Sequence, residues 1–321
     1  MLTPLINTAR LTFELCTTSP LLVRSGLPGF GPVEAIPVAT LRDGLEEPFI
    51  PASTIRGLFR HHLESVLRPL RSDAACLVTE DRGSARCCGR VLEDAEREAR
   101  SSRRSPLSSS TIYRSSCALC RIFGSTVMAS RLKVADALVV PGSHPVNVRR
   151  TSVGIDRFTG AATLRARLDV EAVSDAQFFC EIRLINFETW QLGLLSLALR
   201  DLFQGRMPIG SGSARGLGRV EGHLTDIHFQ LFTLQGHQGT ISTIPGIGSL
   251  IPDGSAFGYQ HSDQISLERT HVLFSDGLTH SYELTPEEYP WDTLLAAAVR
   301  YMREQYSREL PRHSRGESGG L

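Results

Sequence analysis

An α+β fold is what this sequence predicts, on three observations: short stretches in which apolar residues alternate, two longer stretches in which they recur at helical spacing, and the order of the two kinds. Residues 10–18 (RLTFELCTT) read as a strand with Leu11, Phe13 and Leu15 on one face. Between Ser53 and Leu70, the residues Ile55, Leu58, Phe59, Leu63, Val66 and Leu67 fall on one side of a helix, with Ser53 or Thr54 as N-cap and Pro69 near its end. Residues 131–140 and 177–187 read as the second and third strands, 190–203 as a leucine-rich helix, and 218–229 as a fourth strand. The order β-α-β-β-α-β is that of the ferredoxin-like (RRM-like) fold, in which a sheet face is available to RNA bases.

With 321 residues, 41% hydrophobic and 21% charged, the chain can bury one large core or two smaller ones. No apolar run is long enough to span a bilayer, and residues 1–16 lack the pattern of a secretory leader, so a cytoplasmic protein with no membrane partner is expected. The formal net charge is zero, so a nucleic-acid surface has to come from local clustering of positive charge. Lys133 is the single lysine among 34 basic residues. Arginine offers a planar fork for phosphate, but the bias also runs through regions with no other sign of function, as codon usage in a GC-rich genome would produce.

Residues 73–116 are polar and rich in serine and arginine, and they read as an insertion rather than core. The expected organisation is a ferredoxin-like domain over 1–230 carrying a knuckle insertion (73–120) and a thumb-like hairpin (141–177). A C-terminal extension (231–310) packs on or near it, with a helix over 291–310, and 311–321 is a disordered tail.

Three segments suggest an anion-binding surface. In residues 48–64 (PFIPASTIRGLFRHHLE) a Pro-x-x-Pro turn leads into a helix whose first N–H groups, beside Ser53, Thr54, Arg56 and Arg60, suit a phosphate. In 205–222 (GRMPIGSGSARGLGRVEG) six glycines let backbone approach a ligand, with Gly210, Gly212, Ser213, Arg215 and Gly216 as candidates. In 147–171, Arg149, Arg150, Arg157, Arg165 and Arg167 surround a turn bearing Phe158, suited to stacking on a nucleic-acid strand. An ordinary capped helix, a flexible turn and a solvated hairpin are the competing readings.

Of seven cysteines, Cys16 and Cys180 fall in strands as buried hydrophobes, whereas Cys76, Cys87, Cys88, Cys117 and Cys120 flank or lie within the insertion. Cys117-Ala-Leu-Cys120 has knuckle spacing, and a second pair would complete one structural Zn2+ site per chain with no position left for water. Cys87 and Cys88 are alternatives, and His61 or His62 can substitute for one ligand.

Taken together, IPASTIRGLFRHHLE, CALCRIFGS with SRLKVADA, VGIDRFTGAA with LDVEAV, and MPIGSGSARGLGRV resemble the RAMP superfamily of CRISPR-associated proteins over residues 11–229, in particular backbone subunits of type III-like or type VII effectors. The resemblance implies a subunit that assembles with further copies of itself along a CRISPR RNA and supports target RNA pairing. It adds Arg121 and Ser125 to the RNA-binding candidates, and it implies other effector subunits and a separate nuclease as partners. In target-cleaving members an aspartate follows the first strand. The matching position here is Ala35, so no catalytic residue is expected, with Glu34 or Asp43 and a divalent ion as the alternative. Processing of precursor RNA through His61, His62 or His144 is a third reading.

Overall fold

Alternation sets the centre of the molecule. Along β1 (Asn7–Thr17), Leu11, Phe13 and Leu15 are buried while Arg10, Thr12 and Glu14 are half-buried on the other face. The computed structural model describes residues 4–26, 33–77, 87–102, 105–232 and 239–306; the expected tail at 311–321 lies outside them.

After β1 come a hairpin, β2 (Ala39–Arg42) and β3 (Leu45–Pro48), and helix α1 (Ala52–Leu67). Helices α2 (Cys88–Ser101), α3 (Ser109–Arg114) and α4 (Ala118–Phe123) follow, then two short strands, β4 (Leu132–Val134) and β5 (Leu138–Val139). A ribbon of β6 (Val146–Ile155) and β7 (Ala162–Ser174) leads into β8 (Gln177–Ile185), α5 (Thr189–Phe203) and β9 (Val220–Leu231). The remainder is β10 (Thr240–Pro245), the one-turn α6 (Ile247–Leu250), β11 (Gln264–Val272), β12 (Phe274–Ser275), β13 (His280–Leu284) and α7 (Trp291–Tyr306).

The result is a mixed α+β architecture of antiparallel sheets. The main sheet runs β12-β13-β9-β1-β8-β4, with β5 also on β8. On α1 the buried residues Ile55, Phe59, Leu63 and Leu67 repeat every four positions and form the stripe that meets the core. Helix α5 is buried nearly all round, because α7 covers the side the sheet does not. At Gly193 a Cβ would lie 2.1 Å from the Leu294 carbonyl oxygen, so only glycine admits this approach.

Three sequence expectations are revised, and a hairpin is added to them. The strand expected over 131–140 is interrupted: Asp136 turns out of it, and its Oδ1 accepts the Ala52 N–H at 2.7 Å. The first N–H of α1 is thus satisfied from a distant residue, with Pro51 rather than Ser53 or Thr54 at the N-cap. The loop after β1 contains a hairpin whose turn, Asp43-Gly44, takes positive φ at both residues, the pattern of a two-residue connection. The polar insertion is core at both ends, with Ala74, Ala75, Tyr113, Cys117, Ala118 and Cys120 buried in the main cluster. The C-terminal extension joins that cluster through Ile244, Tyr282, Leu294 and Met302, and β13 pairs with β9 in the main sheet.

The N-terminus of α5 is where the extension grips the core. Asp263 accepts from Thr189 N (2.9 Å) and Thr189 Oγ1 (2.6 Å) with one oxygen and from Gly248 N (3.3 Å) with the other. Burial, with the nearby Glu188 charge, pushes its carboxyl up to about 6 despite these bonds. An acid whose pKa rises on folding favours the folded state most when protonated, so its contribution falls as pH rises from about 4 through 6. The span corresponds to about 3 kcal/mol. Acidification from pH 7 to pH 5 is therefore expected to raise the stability of the wild-type chain relative to Asp263→Asn, measured by denaturant unfolding at both pH values.

Candidate nucleic-acid interface and metal centre

Two-stranded ribbons are marginal by themselves, and this one is anchored at its base. Val173 bridges Leu21, Val170 bridges Ala35, and Leu22 bridges Gly210. The chain after β1, the ribbon and the glycine-rich loop thus meet at one place, around a small second core of Leu22, Ala35, Val170, Ala172 and Leu217. The glycines of the loop serve this packing. A Cβ at Gly210 would lie 2.3 Å from the Leu22 carbonyl oxygen, and one at Gly218 would lie 2.2 Å from that of Ile209, so the close approach is to protein backbone rather than to a ligand. Gly212 is half-buried. Ser213, Arg215 and Gly216 are exposed, and a Cβ at Gly216 would meet open space.

Asp169, on β7 and 3% exposed as a side chain, is the polar hub of the ribbon base. Its Oδ2 takes Arg149 at 2.9 Å and Arg167 at 3.1 Å, its Oδ1 takes the Thr151 hydroxyl, and its carbonyl takes the Glu34 N–H at 2.8 Å. The hydrogen bond from Thr151, with the two arginines, holds this carboxyl below the usual range. Sequence reading passed over Asp169; an acid between Leu168 and Val170 at the foot of a basic strand was the available signal. Arg149 and Arg150 at the base and Arg157 and Phe158 beyond it are exposed, Phe158 at 99%. Asp156 accepts the Phe158 and Thr159 N–H groups at 3.0 and 2.8 Å and so shapes the turn that presents the ring. Arg150 lies opposite Val170, so the five residue steps from Arg150 to Ile155 put that turn about 17 Å beyond the base. The side chain of Arg165 lies outside the described residues.

Other candidates are engaged elsewhere. The α1 N-terminus, beside exposed Ser53 and half-buried Thr54, already holds the Asp136 carboxylate. Arg56 donates to the Phe123 carbonyl and lies over the Phe123 ring. Arg121 spends its donors on Ser116 O (3.0 Å), Tyr301 Oη (2.5 Å) and Arg114 O (2.9 Å), and it packs over Tyr113. Ser125 Oγ is buried without a hydrogen-bond partner. The sheet face away from the helices carries paired charges, Arg10 with Asp226 at 3.2 Å and Arg183 with Glu181 at 3.3 Å, and Arg42 sits over Phe179, leaving little aromatic surface for bases. Glu34 is exposed; Asp43 is the hairpin turn residue. His62 pairs with Asp201 at 2.8 Å, while His61 and His144 are exposed, so the three histidines make no common site.

The cysteines do converge. The sulfurs of Cys76, Cys88, Cys117 and Cys120 lie within 4.8 Å of one another. From Cys76 Sγ the separations are 3.8 Å to Cys88, 3.6 Å to Cys117 and 3.4 Å to Cys120. A zinc tetrathiolate with bonds of about 2.3 Å has edges of about 3.8 Å, so the spacing fits a bound metal ion. Cys117 is the N-cap of α4, and its sulfur accepts the N–H groups of Cys120 (3.4 Å) and Cys76 (3.5 Å). Thiol hydrogen bonds, led by that of Cys117, hold Cys76 far below the usual range. Cys120 contacts draw Cys117 down to about 7, and contacts with Cys117 first push Cys88 and Cys120 up. Packed thiols share their negative charge unequally; a cation stabilises all four as thiolates. Cys87 lies 3.3 Å from Cys76 but outside the four-sulfur set, and neither His61 nor His62 belongs to it. Arg60 turns inward to these sulfurs and not to solvent.

The family model for the RAMP superfamily matches residues 14–221, more than half of the chain. No curated protein matches it. No helix among the described residues is long and apolar enough to cross a membrane.

If the four-sulfur set is the ligand set, Cys88→Ser is expected to lose most bound zinc and Cys87→Ser to keep about one ion per chain. Metal analysis of chelator-free preparations distinguishes the two.

Proposed function

Since the chain belongs to the RAMP superfamily, whose members generally bind CRISPR RNA, we propose that it is a backbone subunit that assembles along a guide RNA and supports target RNA pairing. The observation that carries this reading is the arginine-bearing ribbon, with a fully exposed aromatic at its turn and its base joined to the glycine-rich loop. Five arginines stand against three acids between Val146 and Ser174. Of those acids, Asp169 is buried and Asp156 is spent on the turn, so the outward charge of the ribbon is positive. A cationic strand pair meets phosphates along its length, and its exposed ring stacks on or wedges between bases. The exposed Ser213, Arg215 and Gly216 extend the same surface at the base.

In this reading the β9-β1-β8-β4 sheet with α1 and α5 is the ferredoxin-like domain, residues 73–120 form its zinc knuckle and 141–177 its thumb. Partners are the guide, the target, further copies of the chain, other effector subunits and a separate nuclease. The subunit makes no cut of its own. Metal-assisted hydrolysis needs a carboxylate in coordinating reach of the scissile phosphate. Ala35 is 5% exposed and packs with Leu22, Val170 and Leu217, and the carboxylate of Asp169, whose residue pairs with this segment, has both oxygens engaged. The alternative, a metal-dependent endoribonuclease, rests on Glu34 or Asp43.

Protein from cells expressing a CRISPR array is expected to copurify with RNA, and log affinity should fall with log salt at a slope of about −0.7 per phosphate contacted. Arg150→Ala with Arg215→Ala should flatten that slope without changing sequence preference; RNA-free protein from such cells contradicts the reading.

Phe158→Ala with Arg157→Ala is expected to disturb target pairing while thermal stability is unchanged, since neither residue is packed. Glu34→Ala with Asp43→Ala should leave assembly and any partner cleavage nearly unchanged. Loss of cleavage with normal target binding in that variant reclassifies the chain as a nuclease.

A further inference from the structure

A zinc ion with four thiolates carries two net negative charges, and at a centre where Cys117 and Cys120 are buried and Cys76 and Cys88 half-buried, water screens them only in part. A basic side chain reaches it from α1. Arg60, on α1 and 11% exposed as a side chain, places Nη2 at 3.6 Å from Cys76 Sγ, 3.9 Å from Cys120 Sγ and 3.5 Å from the Cys76 carbonyl oxygen. Its Nε donates to Glu64 Oε1 at 2.9 Å, and its guanidinium lies over the Phe123 ring. Arg56, one turn earlier, is directed to the Phe123 carbonyl instead.

We infer that Arg60 is the positioning residue of the metal centre: a buried guanidinium that offsets part of the tetrathiolate charge and fixes Cys76 and Cys120, with Glu64 setting its orientation. The inference rests on the zinc reading and adds to it the residue that controls how tightly the ion is held. The planar fork is what the geometry requires, because one edge meets sulfur while Nε meets Glu64; a lysine ammonium is a single point donor that cannot serve both sides. Glu64 carries a negative charge near thiolates, which is favourable only with the guanidinium between them. The same placement ties α1 to the knuckle and withdraws Arg60 from phosphate binding.

The test compares wild type, Arg60→Met, Arg60→Lys and Glu64→Gln, all prepared without chelator, with folding checked by circular dichroism. Zinc is measured by metal analysis and by competition with a chromophoric chelator, and RNA copurification is read in the same samples. Arg60→Met is expected to give up zinc to about 10–100-fold less chelator than wild type, the usual effect of losing a partner behind a metal ligand. Arg60→Lys should recover part of the loss and Glu64→Gln should fall between wild type and Arg60→Met. Zinc retention by Arg60→Met equal to wild type overturns the inference, as does retained zinc with lost RNA, which would make Arg60 a phosphate ligand. Should Arg60→Met not fold, unchanged competition in both other variants overturns it. Absence of zinc from the wild-type protein overturns the metal reading, and this inference with it.

Discussion

Closure of the sheet around β1 is the constraint on which the rest depends. Its two neighbours, β8 and β9, are drawn from positions some 170 to 220 residues away, with Leu11 opposite Ile182 on one side and Ile227 on the other. Bringing such distant strands together has an entropic cost that grows only slowly with the length between them. Long inserted segments are therefore compatible with the core, provided each end is fixed where it leaves the sheet. The knuckle helices, the ribbon and the glycine-rich loop all sit between these pairing strands. The ribbon is fixed by the bridges to Leu21 and Ala35, and the loop by the bridge from Leu22 to Gly210.

The knuckle is fixed by chemistry as well as packing. Ala118 and Cys120 are buried and α4 lies against α1, but α2 is mostly exposed and shares few apolar side chains with the core. Four sulfurs drawn from Cys76, Cys88, Cys117 and Cys120 tie α2 to that buried end. A metal ion held there would link three pieces of chain at once, adding to the packing of Ala74, Ala75, Tyr113 and Ala118.

The arginines divide by what surrounds them. Arg56, Arg60, Arg121 and the nearly fully buried Arg131 bind carbonyls, sulfurs, tyrosine hydroxyls and Gln191 inside the protein. Arg131 donates to Tyr259 at 2.6 Å and so joins the C-terminal extension to the core. Arg150 and Arg157 on the ribbon and Arg215 on the 213–216 turn face outward. A chain with no net charge can thus present a basic surface, because its acids are placed selectively: Asp169 at the ribbon base, Asp136 at the α1 N-terminus and Asp201 beside His62, Arg200 and Arg206.

The sequence by itself determined the main elements, since apolar period is a local property: the alternation of Leu11, Phe13 and Leu15 and the four-residue repeat of Ile55, Phe59 and Leu63 each name a buried face. It also determined that residues near Cys117-Ala-Leu-Cys120 hold thiols at ligand spacing, because i and i+3 share one turn. Which second pair joins them was decided only by the tertiary structure. Cys87 and Cys88 are neighbours in sequence, and the path of α2 directs the Cys88 sulfur into the four-sulfur set. The same holds for the arginines. Charge and spacing assigned Arg56 and Arg60, and the resemblance Arg121, to an RNA-binding surface, whereas their partners Phe123, Cys76 and Tyr301 come from other elements and exist as partners only after folding. Side-chain direction on a helix depends on what packs beside it, and that information is not local.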